Sequence, residues 1–89
     1  MLNIVSIFFG IKITVNPSEH TPPPHFHAEY NGHKITVNII DGEVIVGYMP
    51  KKQLRLILAW CELYQDELMQ NWELILADKE PNQIQGLRK

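Results

Sequence analysis

The chain has 89 residues, of which 45% are apolar and 20% charged, with a formal net charge of −2. That length and composition describe one globular folding unit, which excludes a large multi-domain enzyme, and the slight acidity argues against a protein that coats nucleic acid by bulk charge. The single cysteine, Cys61, allows no internal disulfide, and neither a leader nor an apolar run of about 18 residues is evident, so a reducing cytoplasm and no membrane contact are expected.

Residues 4–15 alternate apolar and polar, which predicts a strand. Val5, Ile7, Phe9, Ile11, Ile13 and Val15 share one face, Ser6, Gly10, Lys12 and Thr14 the other, with Phe8 as the exception. Gly10 marks a bend or a close approach by another group. Residues 16–24 hold four prolines, so they form a loop, extended and stiff over Pro22–Pro24.

Asn31-Gly32 between two alternating runs is a strong hairpin signal and predicts strands over 25–31 and 33–40. A two-residue turn sets the register, with Tyr30 facing His33 and His27 facing Thr36. Phe26, Ala28, Tyr30, Ile35, Val37 and Ile39 then share a core face. His25, His27, Glu29, Lys34, Thr36 and Asn38 share the opposite, polar one, and a slip of one residue would bury the polar set. Asp41-Gly42 predicts a second two-residue turn into a strand over 43–48. In that register Val44 and Val46 join the core, and Gly47 falls opposite Thr36, leaving room above the histidines.

Residues 50–77 read as one helix, about 42 Å long if unbroken, with Pro50 suited to its first turn. Leu54, Leu58, Cys61, Leu68, Trp72 and Ile75 form its apolar stripe. Leu56, Ile57, Trp60, Leu63 and Tyr64 widen it beyond what one small sheet can cover. Either the helix makes a homo-oligomer or partner interface, or the tail, residues 78–89, folds back with Ile84 and Leu87. The expected architecture is α+β: a four-stranded antiparallel meander against one long C-terminal helix.

All four histidines fall between His20 and His33. His25 and His27 alternate on one strand and point the same way, about 7 Å apart. His20 arrives from the proline loop, while His33 belongs to the other face. Three readings stay open. The pair could ligate zinc or another divalent ion, with His20 or Glu29 as the third ligand. It could divide acid and base roles without a cofactor, as in phosphodiester cleavage. It could also be an ordinary solvated face. Lys51, Lys52 and Arg55 form a second cluster at the helix start, where cations oppose the helix dipole. A bound phosphate or nucleic acid would reverse that sign, and plain surface lysines are the simpler alternative. Cys61, Trp60 and Trp72 fit packing positions.

Phe8-Phe9-Gly10-Ile11, then His20 and Pro-Pro-His25-Phe26-His27-Ala28-Glu29-Tyr30, then Gly42-Glu43, Pro50-Lys51-Lys52 and Trp72-Glu73 resemble a family of small prokaryotic proteins, the domain-of-unknown-function family 4160. The resemblance implies a component of a type II toxin–antitoxin module, with this chain as the toxin side and a small protein encoded nearby as its neutraliser. It further implies that His25, His27 and His20 form the active patch, and it brings no cofactor or substrate. The residues themselves add the first hypothesis for such a toxin: action on RNA or a nucleotide, with proton transfer by His25 and His27, His20 assisting, and Lys51, Lys52 and Arg55 holding phosphate. This chain has His20-Thr-Pro-Pro-Pro-His25, one loop residue more than the His-x-Pro-Pro-His of its relatives.

Overall fold

The computed structural model describes residues 3–88. It is an α+β fold: a five-stranded antiparallel sheet in the order β1-β2-β3-β4-β5, with two helices following the last strand. The strands are β1 (Asn3–Phe8), β2 (Ile11–Val15), β3 (His25–Tyr30), β4 (His33–Asn38) and β5 (Val44–Gly47). The helices are α1 (Lys51–Leu63) and α2 (Gln65–Leu76). No helix is long and apolar enough to cross a membrane among the described residues.

The four strands expected from the sequence become five because residues 4–15 form a hairpin. Phe9 and Gly10 both take positive φ, 51° and 77°, the same pattern as Asn31 and Gly32 in the next hairpin at 47° and 81°. These are the left-handed pairs that a two-residue turn between right-twisted strands requires. Turning there, and a bulge between Ile4 and Ser6, change which side chains face inward. Phe8 is buried against Trp60, while Ile7 pairs with Lys12 on the outer face and is 62% exposed.

The β3–β4 register is the one the Asn-Gly turn dictates, from Tyr30 opposite His33 to His25 opposite Asn38. The next connection differs from expectation. Four residues, Ile39–Gly42, span the turn, held by the Asn38 and Asp41 side chains accepting from the Ile40 and Glu43 amides. A bulge follows, so Gly47 lies opposite Ile35 and Val46 opposite Thr36. Val46 is therefore exposed on the open face rather than core, while Val44, opposite Val37, is 36% exposed at the sheet edge. A Cβ on Gly47 would sit 2.1 Å from the Lys34 carbonyl oxygen, and its φ is 102°. The missing side chain lets two backbones approach.

The expected single helix is two. Tyr64 interrupts it at φ −114° and ψ 25°. Gln65 anchors the break by donating its amide to the carbonyls of Ile39 and Ile40. Asp66 and Glu67 then occupy the first turn of α2, where the helix dipole favours acids. Asp78, at φ 57°, ends α2, with the Lys79 amide donating back to the Leu74 carbonyl.

Both helices serve the core face of the sheet, centred on fully buried Trp60, whose ring meets Phe8 and Phe26. The tail covers the surplus apolar surface. Ile84 is buried and donates its amide to the Val5 carbonyl, and Trp60 Nε1 donates to the Gln85 carbonyl. Asn71, 1% exposed, exchanges two hydrogen bonds with the backbone of Asn82. The other sheet face remains open, with the histidines and other polar side chains beside the exposed Ile7 and Val46.

Candidate functional site

On the open face, rows of side chains cross the strands. Lys12, Glu29 and Lys34 stand in one row, and Thr14, His27, Thr36 and Val46 in the next. His25 lies one step further along β3, opposite Asn38.

The loop before β3 adds a carboxylate to this pair. Asn16 folds it: its side-chain oxygen accepts from the Ser18 amide and hydroxyl, and its carbonyl accepts from the Glu19 amide. This is the local turn that Asn followed by Pro favours. It delivers the Glu19 carboxylate onto the histidines. Glu19 Oε1 lies 2.7 Å from His27 Nε2 and 3.8 Å from His25 Nε2.

The remaining ring nitrogens are also occupied. His25 Nδ1 is 2.8 Å from the Pro23 carbonyl. A carbonyl only accepts, so Nδ1 carries the proton and leaves the Nε2 lone pair facing Glu19 when the ring is neutral. His27 Nδ1 is 3.0 Å from Thr36 Oγ1. The two rings meet edge to face with centroids 5.3 Å apart, and Trp72 of α2 packs 5.2 Å from the His25 ring. The site is thus braced from the loop, the neighbouring strand and the helix layer.

Partial burial pushes the Glu19 carboxyl up. The hydrogen bond from His27 and the charges of His27 and His25 outweigh it, leaving the pKa below its ordinary value. One ligand atom from each of Glu19, His25 and His27 fits within 4.8 Å of the others, all three residues half-buried. Two imidazoles and a carboxylate at such spacing are a donor set for zinc and its neighbours.

A groove of about 450 Å³ runs from this cluster across the sheet, lined by Glu19, His27, Glu29, Lys34, Thr36 and Gly47 among others. That volume is in the range of small-molecule sites. Of the residues singled out from sequence, His25 and His27 meet as expected. His20 turns elsewhere, with Nε2 at 2.9 Å from the Pro17 carbonyl and 3.9 Å from Asp78. Glu29 lines the groove but stands a row away from the imidazoles. Lys51, Lys52 and Arg55 are exposed on the first turns of α1 and do not line the groove. Its cation is Lys34. Cys61 is buried, with its thiol pushed up to about 11 by burial and by Asp41 and Glu62, so it behaves as a small apolar side chain.

Glu19 is the residue the sequence reading missed. Its signal was the Asn16-Pro17-Ser18 turn immediately before it.

The chain matches the family model described as "Domain of unknown function (DUF4160)" over residues 10–73. It belongs to this family. The matched segment contains Glu19, His25, His27 and every residue of the groove, whereas the docked tail lies beyond it. No curated protein and no solved structure matches the chain.

Proposed function

We propose that this DUF4160 chain binds a divalent transition-metal ion through Glu19, His25 and His27, and that the ion acts on a ligand in the adjoining groove. The observation that carries this is the convergence of both Nε2 atoms on Glu19 Oε1, with Pro23 and Thr36 engaging both Nδ1 atoms. Partners of that kind fix ring orientation and raise ligand basicity in metal centres. Three protein ligands leave a coordination position for water or substrate, and a metal-bound water is a ready nucleophile near neutral pH.

Equilibrium dialysis against zinc and cobalt(II) tests it. One ion per chain and a tetrahedral cobalt spectrum, both lost in Glu19→Gln and in His25→Ala, support the reading. Absence of stoichiometric binding by the folded wild type overturns it.

A second reading keeps the toxin role that the resemblance implies, with metal-free acid–base chemistry on RNA or a nucleotide. The 2.7 Å contact between Glu19 and His27 favours it, because a carboxylate so placed stabilises an imidazolium. In this reading a small protein encoded nearby is the cognate partner, and Lys34 meets phosphate in the groove. Lys51, Lys52 and Arg55 would then serve more distant phosphates. Induced expression of wild type beside the His25→Ala/His27→Ala variant decides it. Growth arrest that needs the histidines, with RNA cleavage that survives chelator, selects this reading over the metal centre.

A further inference from the structure

The two edges of the sheet are finished differently. At β1 the tail closes the edge: the Ile84 amide bonds the Val5 carbonyl and the Gln83 side chain bonds the Ile4 carbonyl. At the other edge, among the described residues, β5 pairs with β4 alone. Every residue from Glu43 to Tyr48 is exposed, with Val46 at 63% and Tyr48 at 68%. An open edge with apolar side chains is a template for another strand.

The flanks of this edge carry opposite charges. Glu43 precedes β5, and Lys51 and Lys52 follow it just past Pro50. Such a strand is complementary to itself when turned around. In an antiparallel pair, the acidic start of each strand approaches the basic end of the other. A parallel pair would set like charges together.

We propose that β5 pairs antiparallel with β5 of a second copy of this chain, making one continuous ten-stranded sheet. The bulge at Ile45 and the left-handed Gly47 keep the pairing short. With the β1 edge closed by the tail, each copy offers one free edge, so the pairing ends at two copies rather than an open-ended stack. The two-fold axis of such a pair stands perpendicular to the sheet, so both open faces look the same way. Val46, which lines the groove beside His27, then lies next to the axis, and each copy walls the other's groove on its open side. An 89-residue domain has a small core and gains from added buried surface.

Sedimentation of the full chain over a concentration series tests this, using wild type, Val46→Lys, Glu43→Lys, and Lys51→Glu with Lys52→Glu. The wild type should approach twice its 10.3 kDa mass as concentration rises. Val46→Lys should stay monomeric. Each charge variant alone should raise the dissociation constant about tenfold or more, and an equal mixture of the two should restore pairing. If Val46→Lys fails to fold by circular dichroism, the charge-swap mixture still decides. A wild type that is monomeric at every concentration overturns the proposal, whether or not another protein's strand takes this edge. So does a dimer that none of these substitutions weakens.

Discussion

Glu19 Oε1 lies 2.7 Å from His27 Nε2, across a gap of eight residues that the proline loop closes. This contact ties the loop to the sheet and brings a carboxylate to the histidine pair.

The contact makes stability depend on pH in a stated direction. The Glu19 pKa is lowered in the fold, so its contribution is complete above the unfolded value of about 4.3 and is lost as pH falls through the folded value. Thermal melts from neutral pH downward should show a loss in that acidic window, reduced in Glu19→Gln. Equal acid sensitivity in both proteins would remove Glu19 as the cause.

Metal should stabilise the fold. An ion at a hundredfold excess over its dissociation constant adds about 2.7 kcal/mol. For a domain of this size that is a rise in Tm of roughly 10 °C or more. Zinc titration followed by calorimetry should show it in wild type but not in His25→Ala. A chelator should reverse it.

Thr36 tests the outer support of the site. With metal on His27 Nε2, the ring proton moves to Nδ1 and donates to Thr36 Oγ1. Thr36→Val should weaken zinc binding by about 10- to 100-fold while leaving one ion per chain. Competition with a chromophoric chelator measures this, and an unchanged affinity would show that the hydroxyl contributes nothing.

Gly47→Ala should be costly for its size. The new Cβ would meet the Lys34 carbonyl at 2.1 Å, in a backbone region that L-residues avoid. A loss of about 2 kcal/mol or more is expected in urea unfolding, from strain and overpacking together. A loss under about 0.5 kcal/mol would mean that β5 can move aside freely.

The tail has an equally specific support. Asn71→Ala leaves the Asn82 amide without the side-chain oxygen it now donates to at 2.7 Å. It should cost about 1–3 kcal/mol. Hydrogen exchange should quicken at Ile84 before it does in β3, since the tail would loosen first.

Much of the sheet was legible because its side-chain period is two and its turns have their own chemistry. Asn31-Gly32 set a register that the structure keeps residue for residue. Side-chain parity shifts wherever a residue is inserted or a turn lacks its usual residues. Phe9-Gly10 makes a left-handed turn that a phenylalanine does not advertise, and the bulges near Val5 and Ile45 each shift the alternation by one. The helix break at Tyr64 is similarly hidden. No proline or glycine marks it, and Gln65 is held there by carbonyls from the β4–β5 loop.

By itself the sequence determined the α+β class, the β3–β4 hairpin, and the shared face of His25 and His27, because each follows from local periodicity and turn preference. Only the tertiary structure decided that Glu19 completes the site, that His20 turns toward Asp78, that the tail covers the helices, and that β5 is left as the free edge. Those outcomes depend on contacts between segments far apart in the chain. Local pattern carries no record of distance between such segments. It emerges only when the loops close around a packed core.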